Sequence, residues 1–297
     1  MRILIALVCL LYFPALADDW HGNAPLTGGK GYAATPMGQV HYRDVGPRDA
    51  SVVFLLLHQT PWTMIEFADI QNIIAAAGKR VITIDTPGYG LSDAPKTQPT
   101  IETYADNLIP VLDALKVTRV IVGGHHTGAS VAVALAARHP DRVAGLITHG
   151  IPLYTAAERA ERLAGAHWER VLKPDGSHLA SYFQNILARI TSPENPPTAM
   201  VNMRNATWAV LTMFQQDQDI GHNAAYTYDM EPDLMRVKAP ALVLSDKGDT
   251  LVKMDAKAVR LRPDFKFRQF SDNQALSLVA EPQRWADIAL DFAKTAR

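Results

Sequence analysis

Gly124-His125-His126-Thr127-Gly128 puts an imidazole where a nucleophile is expected. The run follows a β-branched apolar stretch at 117–123 and precedes Ala129-Ser-Val-Ala-Val-Ala-Leu-Ala-Ala-Arg. That order reads as a strand, a tight glycine-flanked turn and a helix. In a G-x-S-x-G turn the third residue is the nucleophile, held on a strained elbow above a sheet. His126 holds that place, and no G-x-S-x-G occurs elsewhere in the chain. Ser130 falls about one turn into the helix, where it is aimed elsewhere. An imidazole at an elbow suits general-base work, a role that contributes roughly 10²–10⁴-fold to a rate. Covalent attack through an acyl-imidazole offers no evident advantage over direct base catalysis.

The elements that position this turn are legible as alternating patterns. Strand patterns occur at 39–45, 51–58, 80–85, 117–123, 143–149, 239–245 and 265–270. Helical patterns fit 62–77, 101–115, 127–138, 255–261 and 281–296. Such alternation predicts an α/β fold, a mostly parallel sheet with helices on both faces. The stretch 152–238 has no strand pattern, only helical segments such as 156–171 and 181–190, with Pro193, Pro196 and Pro197 marking a loop. It reads as a helical cap over the carboxyl ends of the strands, where α/β sheets place their sites. The expected organisation is a core of 18–151 and 239–297 interrupted by this cap. Gly28-Gly29-Lys30-Gly31 lacks P-loop spacing and reads as a flexible lead-in before the first strand.

Further motifs fall in a familiar order. Leu55-Leu-Leu-His-Gln-Thr-Pro-Trp looks like a strand-end H-G-x-P loop, and Asp85-Thr-Pro-Gly-Tyr-Gly-Leu-Ser-Asp like a D-x-P-G-x-G-x-S-D turn. The elbow follows, and Ala239-Pro-Ala-Leu-Val-Leu-Ser-Asp-Lys-Gly-Asp resembles the strand that leads to a triad acid, here Asp249. On these motifs the chain resembles the α/β-hydrolase family along nearly its whole mature length. The resemblance implies an eight-stranded sheet with a cap insertion, and backbone amides of Thr60 and Thr127 as an oxyanion hole.

The departures from that pattern carry the chemistry. Gln59 stands where the family has glycine, and His126 replaces the nucleophile. The position matching the family's final-loop histidine, counted back from Pro282, is Ala275 beside Gln274, and no histidine follows His222. The two losses read as one exchange. An elbow imidazole enters the volume that Ala275 empties, donates one ring N–H to Asp249 and turns its other nitrogen to the pocket. The carboxylate then fixes the tautomer, as it does for a triad base. The expected reaction is hydrolysis of an ester-like or activated carbonyl in a small, mainly apolar molecule, with His126–Asp249 as base and orienter. A lyase using the same base and a triad-less ligand binder are the alternatives. Gln59, Trp62, His222 and Tyr226 are the expected substrate contacts, although packing is the commoner role for any one aromatic residue of the cap. His58 is expected to support the oxyanion loop through its backbone, His125 to pack behind the turn, and Asp85 and Asp93 to stabilise theirs.

Composition bounds the remaining possibilities. A 297-residue chain with a net charge of −1 gives no electrostatic reason to expect nucleic acid. Arg2, an apolar run to Phe13 and Ala15-Leu16-Ala17 read as a secretory signal peptide over 1–17. A periplasmic or secreted address follows, with no membrane association after cleavage. The single cysteine, Cys9, lies in that leader, so the mature chain has no thiol chemistry and no disulfide. The ten histidines form no H-x-x-x-H or H-E-x-x-H, and adjacent His125 and His126 are expected to face apart, so no metal site is expected. No G-x-G-x-x-G follows an early strand. The expectation is a cofactor-free enzyme whose partner is a small-molecule substrate. Oligomeric state leaves no mark in the sequence.

Overall fold

A computed structural model describes residues 29–165, 173–191, 200–213, 219–270 and 276–296. Residues 1–28 with Cys9, the loop marked by Pro193, Pro196 and Pro197, and Gln274 with Ala275 lie outside the described residues. Eight strands form one sheet: β1 (Lys30–Thr35), β2 (Gly38–Val45), β3 (Val53–Leu57), β4 (Arg80–Ile84), β5 (Val120–His125), β6 (Val143–His149), β7 (Ala241–Asp246) and β8 (Lys266–Phe270). Their order is β1-β2-β4-β3-β5-β6-β7-β8. The β1–β2 and β2–β4 pairs are antiparallel, and the pairs from β4 through β8 are parallel.

The central strands are apolar without alternation because both of their faces are covered. Leu55 and Leu57 of β3 pack on one side, and Phe54 and Leu56 on the other. The first face meets α2 (Ile101–Asp106), α3 (Leu108–Ala114) and α4 (Thr127–Arg138). The second meets α1 (Ala68–Ala76) and, from the C-terminus, Trp285, Ala286 and Ala289. The pattern over 62–77 resolves into a 3-10 turn at Met64–Phe67 followed by α1, and that over 101–115 breaks at Asn107 into α2 and α3.

Between β6 and β7 lie α5 (Ala156–Gly165), α6 (Ser177–Ile190), α7 (Met200–Met213), α8 (Asp219–Thr227) and α9 (Glu231–Arg236). The chain closes with α10 (Val252–Leu261), α11 (Ser277–Ala280) and α12 (Pro282–Ala293). No helix among the described residues is long and apolar enough to cross a membrane.

One expectation is corrected. Lys30 and Gly31, read as flexible lead-in, open strand β1 and pair with Arg43 and Tyr42. The segment Lys-Gly-Tyr-Ala-Ala-Thr has little strand propensity of its own. Its ladder with β2 supplies the order instead.

The elbow fixes which residues are allowed beneath it. A Cβ at Gly124 would lie 2.1 Å from the Gly128 carbonyl oxygen, and one at Gly128 would lie 2.1 Å from that of Leu57. Backbone crowds both positions, so neither can move aside cheaply. Gly128→Ala is therefore expected to cost about 1–3 kcal/mol or more, read as a lowered urea midpoint. An unchanged midpoint would show that α4 can back away from β3.

Candidate active site

His126 joins β5 to α4 with φ +46° and ψ −112°, a backbone conformation that side-chain-bearing residues rarely hold. Such a residue stores on the order of 1–3 kcal/mol of strain, which the surroundings must offset. Here the His126 amide donates to the His149 carbonyl at 3.0 Å. Its own carbonyl accepts from Ala129 and Ser130 at 2.8 and 3.1 Å, which starts the helix. The turn lifts the imidazole to the carboxyl end of the sheet, where 19% of its side-chain surface remains exposed.

The imidazole meets Asp249 on the loop after β7. Nε2 lies 2.6 Å from Oδ2 of Asp249, whose side chain is fully buried. The Leu251 amide donates to Oδ1 at 2.9 Å and fixes the carboxylate from its other side. Burial alone would raise this carboxyl. The His126 charge and hydrogen bond, with the Leu251 amide, outweigh it and hold Asp249 well below the usual carboxylate range. An ionised Asp249 only accepts, so Nε2 donates to it, and in the neutral imidazole Nδ1 keeps the lone pair. Nδ1 has no hydrogen-bond partner among the described residues. Gly150, at φ +62°, makes room for the pair, since a Cβ there would lie 2.5 Å from His126 Cδ2 and 2.7 Å from Nε2.

A buried carboxylate that no sequence pattern marked ties the elbow to the loop after β3. Glu66 Oε1 accepts from His125 Nδ1 at 2.8 Å and from Gln59 Nε2 at 2.7 Å, while Oε2 accepts the Gln59 amide at 2.9 Å. Burial pushes Glu66 up to about 7, against the pull of the Gln59 hydrogen bonds. Burial pushes His125 well down, and any positive charge on the neighbouring His126 or His149 adds to it, which keeps His125 neutral.

His58 acts as expected of a loop support. Its Nδ1 donates to the Gln59 carbonyl at 2.7 Å, and its Nε2 accepts the Thr86 amide at 3.0 Å. With that carbonyl held, the N–H across the same trans peptide, that of Thr60, must point the opposite way. Neither the Thr60 nor the Thr127 amide has a partner among the described residues. Thr127 is also the first residue of α4, where the helix dipole favours negative charge. Asp85 and Asp93 hold their turn by accepting the amides of Leu91 and Gln39.

A second His–Asp pair lies behind the first. His149 Nδ1 accepts from Trp285 Nε1 at 3.1 Å, so its proton sits on Nε2, 3.2 Å from Asp246 Oδ1. Asp246 also accepts from the Ser277 amide at 2.9 Å, and so anchors the chain on the far side of the final loop.

Above the elbow is a cavity of about 610 Å³, within the usual range for small-molecule sites. His126, Gln59, Thr60, Trp62, His222 and Tyr226 all line it. Thr127 instead borders a small neighbouring void of about 10 Å³ with Thr60 and His58. Ser130 is fully buried and takes no part in the cavity wall.

The wall mixes polar and apolar surface, with Arg162, Arg189, Asn185 and Gln59 facing the cavity among its aromatic residues. One expectation needs correction. His125 and His126 do not face apart: their ring centroids are 4.2 Å from each other. With Asp249 they offer donor atoms within 4.8 Å, the one such cluster among the described residues that could hold a metal ion. The spacing rules missed it because they describe helices and hairpins, not an elbow. Arg162 left no readable signal either. In Ala-Ala-Glu-Arg-Ala-Glu-Arg-Leu it reads as one more charge on a solvated helix face.

Comparison with known proteins fits this architecture. The profile of the alpha/beta hydrolase fold matches residues 52–274. A 2-hydroxy-6-oxononadienedioate/2-hydroxy-6-oxononatrienedioate hydrolase of Paraburkholderia phymatum is 28% identical over 276 residues, 86% of this chain and 90% of that protein. A haloalkane dehalogenase of Psychrobacter cryohalolentis is 37% identical over 108 residues, 36% of this chain and 35% of that protein, so this match spans only about a third of its length. Among solved structures, the enol-lactonase from Burkholderia xenovorans LB400 superposes with a TM-score of 0.72 at 22% identity, covering 89% of this chain and all of that one. The chain belongs to the α/β-hydrolase fold family, and relatives matched over most of its length are named as hydrolases.

Two outcomes follow from the site's packing. Gly150→Ala should push the imidazole off Asp249 and lower turnover by about tenfold or more, part of the general-base contribution. Unchanged kcat would mean that the ring yields without losing its partner. The second concerns Glu66, whose folded pKa of about 7 exceeds its ordinary 4.5. Its stabilising contribution is thus complete below about pH 4.5 and lost as pH rises to about 7. Urea unfolding of wild type relative to Glu66→Gln should therefore show wild type losing ground from about pH 4.5 to about pH 7. A difference that stays flat over that range would show that Glu66 does not titrate there.

Proposed function

We propose that this α/β-hydrolase hydrolyses an ester-like or otherwise activated acyl bond by general-base catalysis, without a covalent serine intermediate. The observation that carries the reading is the 2.6 Å contact between His126 Nε2 and the buried, ionised Asp249. With Nε2 occupied, Nδ1 takes the proton of a water as that water attacks the carbonyl. Asp249 stabilises the imidazolium that forms and is not itself protonated. The Thr60 and Thr127 amides donate to the developing oxyanion, aided by the positive end of α4. The imidazolium then returns its proton to the leaving oxygen, so the cycle ends where it began. Relatives named as hydrolases over most of their length support hydrolysis over other chemistry.

Activity against a panel of small esters and lactones tests this directly. His126→Ala and Asp249→Asn should each lower kcat/KM by roughly 10²–10⁴-fold, with kcat falling rather than KM rising. A fluorophosphonate probe should leave the protein unlabelled. Heavy oxygen from labelled water should enter the acid product. Turnover that survives both substitutions would overturn the base assignment, and labelling of a serine would overturn the mechanism.

A further inference from the structure

Five arginines are described in the cap segment, and three of them are paired with carboxylates. Arg159 pairs with Asp229, Arg204 with Asp69 and Arg236 with Asp233. Arg162 and Arg189 differ: both line the cavity, and neither has a carboxylate partner among the described residues. Among the described residues no aspartate or glutamate lines the cavity. Asp249, beside it, is already engaged by His126 and the Leu251 amide. The described wall therefore carries positive charge, and the Asp249 charge beneath it is already met.

Arg162 is also held in place without a hydrogen-bonded carboxylate among the described residues. Its guanidinium carbon lies 4.3 Å from the centroid of the Tyr154 ring and 5.6 Å from that of Tyr226. The two rings meet edge to face at 5.8 Å, and His222 stacks on Tyr226 at 5.6 Å. Glu158, one turn earlier on α5, is drawn away by the Thr155 amide and hydroxyl at 2.7 and 2.9 Å. Aromatic faces attract a guanidinium but leave its N–H edge unbonded. An arginine that is packed, charged and without a hydrogen-bond acceptor among the described residues, beside a catalytic cavity, is arranged for a ligand to supply one.

We infer that the substrate bears a carboxylate, bound by the Arg162 guanidinium with Arg189 adding to the field, while its acyl bond lies at His126. Resting on the base reading for the second half only, this makes the substrate bifunctional: a carboxylate at the cap end and an activated carbonyl at the elbow. A fork of parallel N–H groups matches a carboxylate in two bonds and gives orientation as well as attraction. Anchoring the far end places the carbonyl over the oxyanion amides, so remote binding is converted into correct positioning. The inferred class is the half-ester, lactone-derived or acyl derivative of a short dicarboxylic acid. A hydrolytic or oxidative ring-opening reaction, which leaves a carboxylate at one end of a chain, would supply it.

Binding and turnover test the two halves separately. Calorimetry with the saturated dicarboxylates from succinate to suberate measures the anion site alone. At least one should bind wild type, bind His126→Ala equally well, and weaken by about tenfold or more in Arg162→Gln. Arg162→Lys should recover part of the loss, and raised salt should weaken binding to wild type. Arg162→Met, which keeps the stem packed on Tyr154, separates lost charge from a misfolded cap; its circular dichroism should match wild type while its binding matches Arg162→Gln. In turnover, mono-p-nitrophenyl glutarate should be a better substrate than its neutral methyl ester in wild type, and the advantage should vanish in Arg162→Gln through KM. Failure of every dicarboxylate to bind, equal binding by wild type and Arg162→Gln, or preference for inorganic phosphate over all of them would overturn the inference. Arg162-dependent binding combined with turnover that survives His126→Ala would uphold it and sink the base reading instead.

Discussion

One hydrogen bond organises this protein: the 2.6 Å link from His126 on the elbow to Asp249 on the loop after β7. It joins the ends of two strands that are not neighbours, since β6 lies between β5 and β7. The link is available only because the elbow is forced to φ +46°, which lifts the ring clear of α4. That backbone strain is sustained by Gly124 and Gly128, which let strand and helix approach closely, and by the Gly150 turn, which leaves room for the ring. Loss of any of these would act on the same atom pair. Glu66 extends the constraint, because it grips Gln59 and His125 together and so sets the Thr60 amide relative to the elbow.

The sequence exposes those parts of this arrangement that depend on local pattern. β6 and α4 have the residue limits that periodicity predicts, 143–149 and 127–138, because uninterrupted apolar runs end at unambiguous turns. His126 and Asp249 are legible because each occupies a fixed offset in a motif. β1 is not legible, since its order comes from pairing with β2 and not from its own residues. Glu66 and Arg162 are equally silent. Each is a charge in a helical or near-helical segment, and only the fold reveals that one is buried and the other faces a cavity. The charged part of the pocket wall is silent for the same reason. Which face of α5 and α6 turns inward depends on packing against α8 and α7, and no pattern within either helix encodes that choice.

Moving the imidazole to the elbow changes the geometry of the proposed reaction. In a triad the elbow atom itself attacks, so the carbonyl must sit against it. Here a water has to fit between, within about 2.6–3.2 Å of Nδ1, and the carbonyl moves outward by a similar step. The oxyanion donors must follow it. Thr60 borders the main cavity and can reach a displaced oxygen, whereas Thr127 borders the small void behind it. In the proposed reaction the Thr60 amide would therefore carry more of the charge than its counterpart in a serine enzyme. That explains the investment around it: His58 holds the preceding carbonyl, and the Gln59 side chain turns away to Glu66 where glycine would leave a gap. A wide cavity with a fixed cation in its wall completes the same logic. A substrate not gripped covalently at the elbow needs another point of attachment, and Arg162 offers one at a distance from the attacking water.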